Sequence, residues 1–513
     1  MRLTVWLSMA LAICGVAGCS SLPPLEGRTA SRALSAETTA DTTLGRAVKA
    51  RASRGAIGQS GVHPMLDPRE AFAARMLLAR AAERTLDVQY YIWHDDLTGT
   101  LLLDALRDAA DRGVRVRLLL DDNGTTGMDS TLAVLDDNPN IEVRLFNPFL
   151  HRRFKWLGYV TDFSRSNRRM HNKSFTADNQ AAIVGGRNVG DEYFGADDGV
   201  LFADLDVLAV GPVVQDLSRD FDRYWTSDSA YPVADVLEGV GASDQRSLAQ
   251  QAREIENGPE ARAYRQALED SRLIQRLETG DLLLQWADVE MFSDDPAKGL
   301  GQASSSSLVL SHILDLADDS NRSFLLVSPY FVPTDAGTEI FRQLAARGVQ
   351  VQVLTNSMAA TDVLAVHAGY ASQRRALLES GVTLYELKRQ RSDAGHQAGP
   401  LGSSGASLHA KTFSLDGHQV FVGSFNFDPR SANLNTELGF VIDSPALAGD
   451  MAAMFEERIP QEAYRVRLNG EGKMEWISLD GDKTDIYTHE PNTQWWQRGM
   501  VWFISKLPVE WLL

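Results

Sequence analysis

The sequence predicts an α/β fold of two similar halves, each a mixed, largely parallel sheet flanked by helices, related by a pseudo-twofold and sharing one site. Three observations predict it: a strand–helix–strand order that occurs twice, an H-x-K-x4-D pattern that closes each copy, and a constant offset between the copies. Self-similarity of this kind marks duplicated structural units. Strands separated by helix-length crossovers pair in parallel and carry their helices on the sheet faces.

In the first copy, Thr85 to Tyr91 reads as a strand. Gly99 to Arg112 has helical periodicity, with Leu102, Leu103, Leu106 and Ala109/Ala110 on the apolar side. Gly113 is placed to cap that helix, and Val114 to Leu120 is the next strand. The second copy repeats the order with Phe324 to Tyr330 as strand, Thr338 to Arg347 as helix, Gly348 as cap and Val349 to Leu354 as strand. Each H-x-K motif again falls on a strand pattern.

Around these copies the chain divides into a leader at 1–18, a flexible tether at 19–60, a first half at 61–232, a helical connector at 233–300, a second half at 301–465 and a tail at 466–513. Order is expected to begin near His63-Pro64. The glycine- and serine-rich stretch from Arg389 to Ser407 runs into the second motif and reads as a loop that could act as a lid. The tail carries Trp495, Trp496, Trp502 and Trp511 with Arg498, Lys506 and Glu510 between them, a pattern suited to a lipid headgroup boundary or to packing on the core.

With 44% apolar and 23% charged residues among 513, the chain can build a full core. Its formal charge of −18 argues against a general nucleic-acid binder, which must neutralise phosphates with Lys and Arg. Met1-Arg2 and the apolar run Val5 to Val16 read as an export signal, too short to span a bilayer. The run ends in Val16-Ala17-Gly18-Cys19-Ser20, which resembles the bacterial lipobox, so Cys19 is expected to carry a lipid after cleavage. Ser20 after the cysteine favours the outer membrane, facing the periplasm. The only other cysteine is Cys14, so the mature body holds no disulfide, thiolate metal site or cysteine nucleophile.

The motifs carry the chemistry. His171, Lys173 and Asp178 are followed by Gly185-Gly186-Arg187-Asn188, and His409, Lys411 and Asp416 by Gly423-Ser424-Phe425-Asn426. His409, Lys411, Asp416 and Asn426 each lie 238 positions after their counterparts. On a strand, residues i and i+2 share a face, so each His–Lys pair points into one pocket. Two imidazoles can divide nucleophilic and acid–base work, while lysines, Asn188, Ser424 and Asn426 donate to phosphoryl oxygens. No Asp/Glu/His spacing suggests a metal site, and no cofactor is expected.

These residues resemble the paired HKD motifs of the phospholipase D superfamily, over about residues 65 to 450. The resemblance implies two phospholipase D-like halves and a covalent phosphohistidine, with His171 as nucleophile and His409 as acid, then base. It gives Asp178 and Asp416 a partly structural role. It also implies that Asp204, with Asp206 as runner-up, and Glu437 hold the second nitrogen of each histidine. Gly186 departs from the pattern that Ser424 follows.

A basic run from Arg152 to Lys173 reads as a patch for anionic headgroups. The segments Leu120 to Gly127, Ile141 to Pro148 and Leu507 to Leu513 resemble the cardiolipin synthase C group. The expected substrates are phospholipids (phosphatidylglycerol, phosphatidylethanolamine or cardiolipin) at a membrane surface, and the expected reaction is transfer of a phosphatidyl group to a second lipid. Hydrolysis to phosphatidic acid is the alternative. A nuclease and a scaffold with relic motifs are less favoured, and a protein partner is not specified.

Overall fold

The computed structural model describes residues 22–52, 57–196, 202–237, 246, 250, 253–269, 282–389, 407–481, 483–507 and 510–513. The leader with Cys19, most of the glycine-rich loop and much of the connector lie outside the described residues.

The first half contains β1 (Ser60–Met65), β2 (Thr85–Ile92), β3 (Arg115–Gly124), β4 (Ile141–Phe146), β5 (Ser174–Ala177), β6 (Ala181–Gly185), β7 (Phe202–Ala203), β8 (Asp206–Val210) and β9 (Ala230–Pro232). The second contains β10 (Gln285–Ser293), β11 (Ser323–Val327), β12 (Gln350–Asn356), β13 (Thr383–Leu387), β14 (Ser407–Leu408), β15 (Thr412–Leu415), β16 (Gln419–Gly423) and β17 (Leu438–Asp443). β18 (Ala463–Leu468), β19 (Met474–Asp480) and β20 (Lys483–Tyr487) complete the chain.

In the first half the strands pair in the order β9-β4-β3-β2-β5-β6-β8-β1. In the second the same order appears as β18-β13-β12-β11-β15-β16-β17-β10. β1 and β10 pair antiparallel, Gly61 opposite Trp286, and join the halves into one 18-stranded sheet.

The sheet is mixed, as expected, but its parallel part is confined to β2-β3-β4 and β11-β12-β13. The strands after each motif are linked by short turns at Asp178-Asn179 and Asp416-Gly417, and so short a connection can join only antiparallel neighbours. The two crossover helices span Leu97–Asp111 and Thr334–Ala346. Asp96 caps the first by accepting from the Gly99 amide, and Gly113 and Gly348 take φ of +92° and +90°, the left-handed conformation expected just past a helix end. Each half has its own apolar core. Between them Val184 and Val207 of one half pack with Val422 and Phe440 of the other.

Three boundaries differ from the expected ones. Residues 22–52 form no loose tether, and include a helix at Thr43–Ala52. Arg28 donates to the carbonyls of Thr226 and Ser227, the buried Arg117 to Ser31 O and the buried Arg144 to Thr29 O. An Ala/Ser/Thr-rich stretch has no periodicity of its own, and its order comes from guanidinium-to-carbonyl bonds exchanged with the body in both directions. The connector also ends earlier, because β10 starts at residue 285 and pairs with β17. Its helix Pro259–Glu269 seats Tyr264 against Phe72, with the hydroxyl donating to Phe194 O. Finally, the boundary at 466 falls inside β18, and β18-β19-β20 extend the sheet.

Removal of residues 22–52 is expected to lower unfolding free energy by about 2–6 kcal/mol, since buried guanidinium donors lose their acceptors. Urea titration of the chain with and without the segment checks this; equal midpoints would restore the tether reading.

Candidate active site

His171 and Lys173 lie on the extended residues that lead into β5, and His409 and Lys411 on those that lead into β15. These lead-ins bond to the opposite half. The His171 amide donates to Thr436 O at 2.9 Å, and the Thr436 amide to Arg169 O at 2.9 Å. The His409 amide donates to Ala203 O at 2.8 Å, beside the parallel pair β7–β14.

That exchange crosses the histidines with the acids. His171 Nδ1 lies 2.9 Å from Oε2 of Glu437, in the second half. His409 Nδ1 lies 2.5 Å from Oδ2 of Asp204, in the first. A carboxylate on Nδ1 orients each ring and turns Nε2 toward the pocket lysines, with His409 Nε2 3.3 Å from Lys411 Nζ. Lys173 Nζ donates to His171 O at 2.5 Å, and Lys411 Nζ to His409 O at 2.5 Å. All six groups are buried.

The pocket is electrostatically uneven. Burial, with Lys173 and Lys411 nearby, pushes His171 well below the ordinary imidazole value. Burial and Lys411 also lower His409, but the Asp204 carboxylate opposes them. Burial works to raise Asp204, yet His409 and Lys411 overcome it and hold the carboxyl well below the usual range. Burial raises Glu437 to about 7, against the pull of Lys173 and the Ser424 hydroxyl. Both lysines are lowered by burial, Lys173 strongly. Of the two histidines, His409 faces the firmly ionised acid and His171 the weaker one.

The supporting residues fall into different places than expected. Ser424 Oγ donates to Glu437 Oε2 at 2.5 Å, so it positions the acid instead of facing a phosphate. Gly186 has a steric reason to differ: a Cβ there would stand 2.2 Å from Asp204 Oδ1. Asp178 and Asp416 are not brought to the pocket. Asp178 accepts from the amides of Glu83, Arg84 and Thr85, and Asp416 from those of Asn321, Arg322 and Ser323, fastening the starts of β2 and β11. Both sit at turn positions with φ near +50° (51° and 54°). Asn188 is engaged as well, accepting from the Ile92 amide and donating to Tyr193 OH. Asn426 Oδ1 is buried with no donor among the described residues. Asp206, the runner-up acid, instead pairs with the buried Arg75 at 2.9 Å.

Two rings went unread in the sequence. Tyr91 packs edge-on against His171 with centroids 5.0 Å apart, and Tyr193 against His409 at 5.2 Å. Both come from the first half, and at the repeat offset they correspond to Pro329 and Ser431, so a search for matched residues passes over them.

The basic run is largely internal. Arg169 is buried against Asp121, Arg152 pairs with Asp122 and Asp129, Lys155 with Asp122, and Arg165 with Asp162. Asp121, Asp122 and Asp129 lie outside the run, where local charge counting misses them, while Asp162 lies within it. Among the described residues, His94, Asp96 and Glu192 bring ligand-type atoms within 4.8 Å of one another, a cluster hidden by its sequence separation. Its atoms are engaged: His94 Nδ1 meets Glu192 at 3.1 Å, and Asp96 accepts from the amides of Gly99 and Asp191.

A family model described as "Cardiolipin synthase, PLD-like domain" matches residues 76–225 and 313–459, one segment in each half and each containing one motif. The chain belongs to the phospholipase D superfamily. Within that superfamily it is similar to Cardiolipin synthase C of Escherichia coli (strain K12), 51% identical over 458 residues that cover 89% of this chain and 97% of the relative. It is also 31% identical over 425 residues to an uncharacterized protein of Helicobacter pylori (80% and 82% covered). Cardiolipin synthase B of Escherichia coli (strain K12) is 24% identical over 422 residues (82% and 80%). Among solved structures, phosphatidylserine synthase of Haemophilus influenzae superposes with a TM-score of 0.58 at 14% identity, covering 91% of this chain and all of that one, a likeness of fold. This chain is thus a cardiolipin synthase-like enzyme of the phospholipase D superfamily.

Two variants separate the site from its supports. Asp178→Ala is expected to cost about 2–4 kcal/mol in urea unfolding through its orphaned amides, with little change in kcat where folded. Loss of kcat without loss of stability would make it catalytic. Gly186→Ser, which makes the halves more alike, is expected to lower kcat/KM about a hundredfold or more by displacing Asp204 from His409; unchanged turnover would show that Asp204 is not needed there.

Proposed function

We propose that this enzyme is a membrane-associated phosphatidyltransferase that forms cardiolipin through a phosphohistidine. The observation that carries the reading is the crossed pair of histidines, each with a carboxylate on Nδ1 and a lysine beside it, in one buried pocket. The similarity to Cardiolipin synthase C supports the choice of lipid.

In the first step His171 Nε2 attacks the phosphorus of a phospholipid. The bond from phosphorus to the headgroup oxygen breaks, and that oxygen takes a proton from His409. In the second step the hydroxyl of another lipid gives its proton to His409, its oxygen attacks the phosphorus, and the P–N bond breaks. His171, with its depressed basicity, keeps its lone pair at neutral pH, while Asp204 stabilises the imidazolium of His409. Lys173 and Lys411 compensate charge on the phosphoryl oxygens. These steps use protein groups alone. The lipobox-like segment at Cys19 supports a cell-envelope location, lipid-anchored on the outer membrane and facing the periplasm.

Incubation with phosphatidylglycerol and phosphatidylethanolamine, with products separated by mass, tests the reading. Cardiolipin is expected, and phosphatidic acid alone would replace it with hydrolysis. The pH profile is a second test. Activity falls as pH drops through the pKa of His171, which must be neutral, and as pH rises through that of His409, which must be protonated. Because both lie below the ordinary value and His171 lies lower, the optimum of kcat/KM is expected on the acid side of neutrality; an alkaline optimum would reverse the roles.

A further inference from the structure

Two exposed aromatic segments, far apart in sequence, meet beside the pocket. One is the helical stretch Arg152–Leu157, Gly158–Thr161 and Phe163–Ser166, which turns Trp156, Val160 and Phe163 outward. The other is the tail helix Trp495–Ile504 with residues 510–513. That helix buries Val501 against Met358 and Ala368, and leaves Trp495 and Trp502 exposed at 77% and 66%. The segments touch at Phe163 and Trp511, whose rings lie 6.1 Å apart. An exposed apolar face of this size is costly unless something covers it.

We infer that this joint surface seats the enzyme on an anionic phospholipid leaflet, with the pocket mouth facing the headgroups. The inference deepens the proposed function by naming the surface through which its substrate arrives. Charge selects the occupant. In a chain of net charge −18, the two segments carry Arg168, Arg498 and Lys506 close in sequence to the exposed rings. Arg168 and Arg498 donate to the neutral oxygens of Ser164 and Thr493, so their charge stays available to lipid phosphates. Tryptophan beside cationic side chains suits the headgroup boundary, where one end of the ring is apolar and the other wet. A second copy of this acidic chain would meet the same cations and the same aromatics, which favours a lipid surface.

Position supports the assignment. From the same stretch, Tyr159 OH donates to Asn123 Oδ1 at 3.1 Å, Asn123 Nδ2 donates to Tyr91 OH at 3.3 Å, and Tyr91 packs on His171. The outward residues and the pocket wall therefore belong to one connected piece. A lipid headgroup could pass from leaflet to His171 along that wall without its acyl chains leaving the bilayer.

The test uses the full chain and a Trp156→Ser/Phe163→Ser/Trp511→Ser variant, with two substrates: phosphatidylglycerol in vesicles and a short-chain phosphatidylglycerol dissolved as monomers. The variant is expected to lose about tenfold or more on vesicles, since each buried ring is worth more than the 1.4 kcal/mol of one decade. It is expected to keep its rate on monomers, which also proves it folded. Brominated lipids are expected to quench the tryptophan fluorescence of the wild type more than that of the variant. Equal loss on both substrates, unchanged vesicle activity, or a dimer in sedimentation that the variant abolishes would overturn the surface. If the wild type turns over neither substrate, the proposed reaction fails, and lipid quenching still decides the surface.

Discussion

Neither half supplies the carboxylate that orients its own histidine. Glu437 reaches from the second half to Nδ1 of His171, and Asp204 from the first half to Nδ1 of His409. The orientation of each ring, and therefore of the Nε2 lone pair, depends on the relative placement of the halves to within a hydrogen bond. Much of the architecture answers that demand. β1 pairs with β10, the motif lead-ins bond to Thr436 and Ala203 across the divide, and an apolar layer rich in valine is shared between the halves. A slip of the halves would separate each buried carboxylate from its histidine, an expensive outcome inside the protein.

The duplicated frame carries a pocket that is not symmetric. Ser424 beside Glu437 and Gly186 beside Asp204 are two solutions to the same packing problem. The shorter acid sits hard against its glycine, and the longer one takes a hydroxyl hydrogen bond. Burial with Lys173 and Lys411 pushes His171 well down, while the ionised Asp204 opposes the same influences at His409, so two chemically identical histidines acquire different basicities. Division of labour between acid and nucleophile then follows from these unequal surroundings.

The features legible in the sequence were those written twice. The parallel strands, their crossover helices and the glycine caps recur in both halves, the caps 235 positions apart, and the four His and Lys residues recur 238 apart and meet in one buried pocket. Among features present once, Asp204 and Glu437 were legible only through the family resemblance, and the others were invisible or misassigned. Tyr91 and Tyr193 have no counterparts, and the strap at residues 22–52 gains its order from Arg28, Arg117 and Arg144. Charge was legible as composition and not as pairing: Arg152, Lys155 and Arg169 read as a patch, but Asp121, Asp122 and Asp129 take them up. Asp178 and Asp416 show the converse, since a motif position can recur because a turn and a strand start both need it.

The exchange of carboxylates has a consequence for how the two halves can change. A substitution at residue 204 is felt by His409, and one at residue 437 by His171, so damage in one half is expressed as a fault in the other's ring. Drift in either copy is therefore policed by its sibling. The halves are free to diverge in loops, rims and outward faces, but their inner edges descend as a matched set, inherited together like the two sides of a hinge.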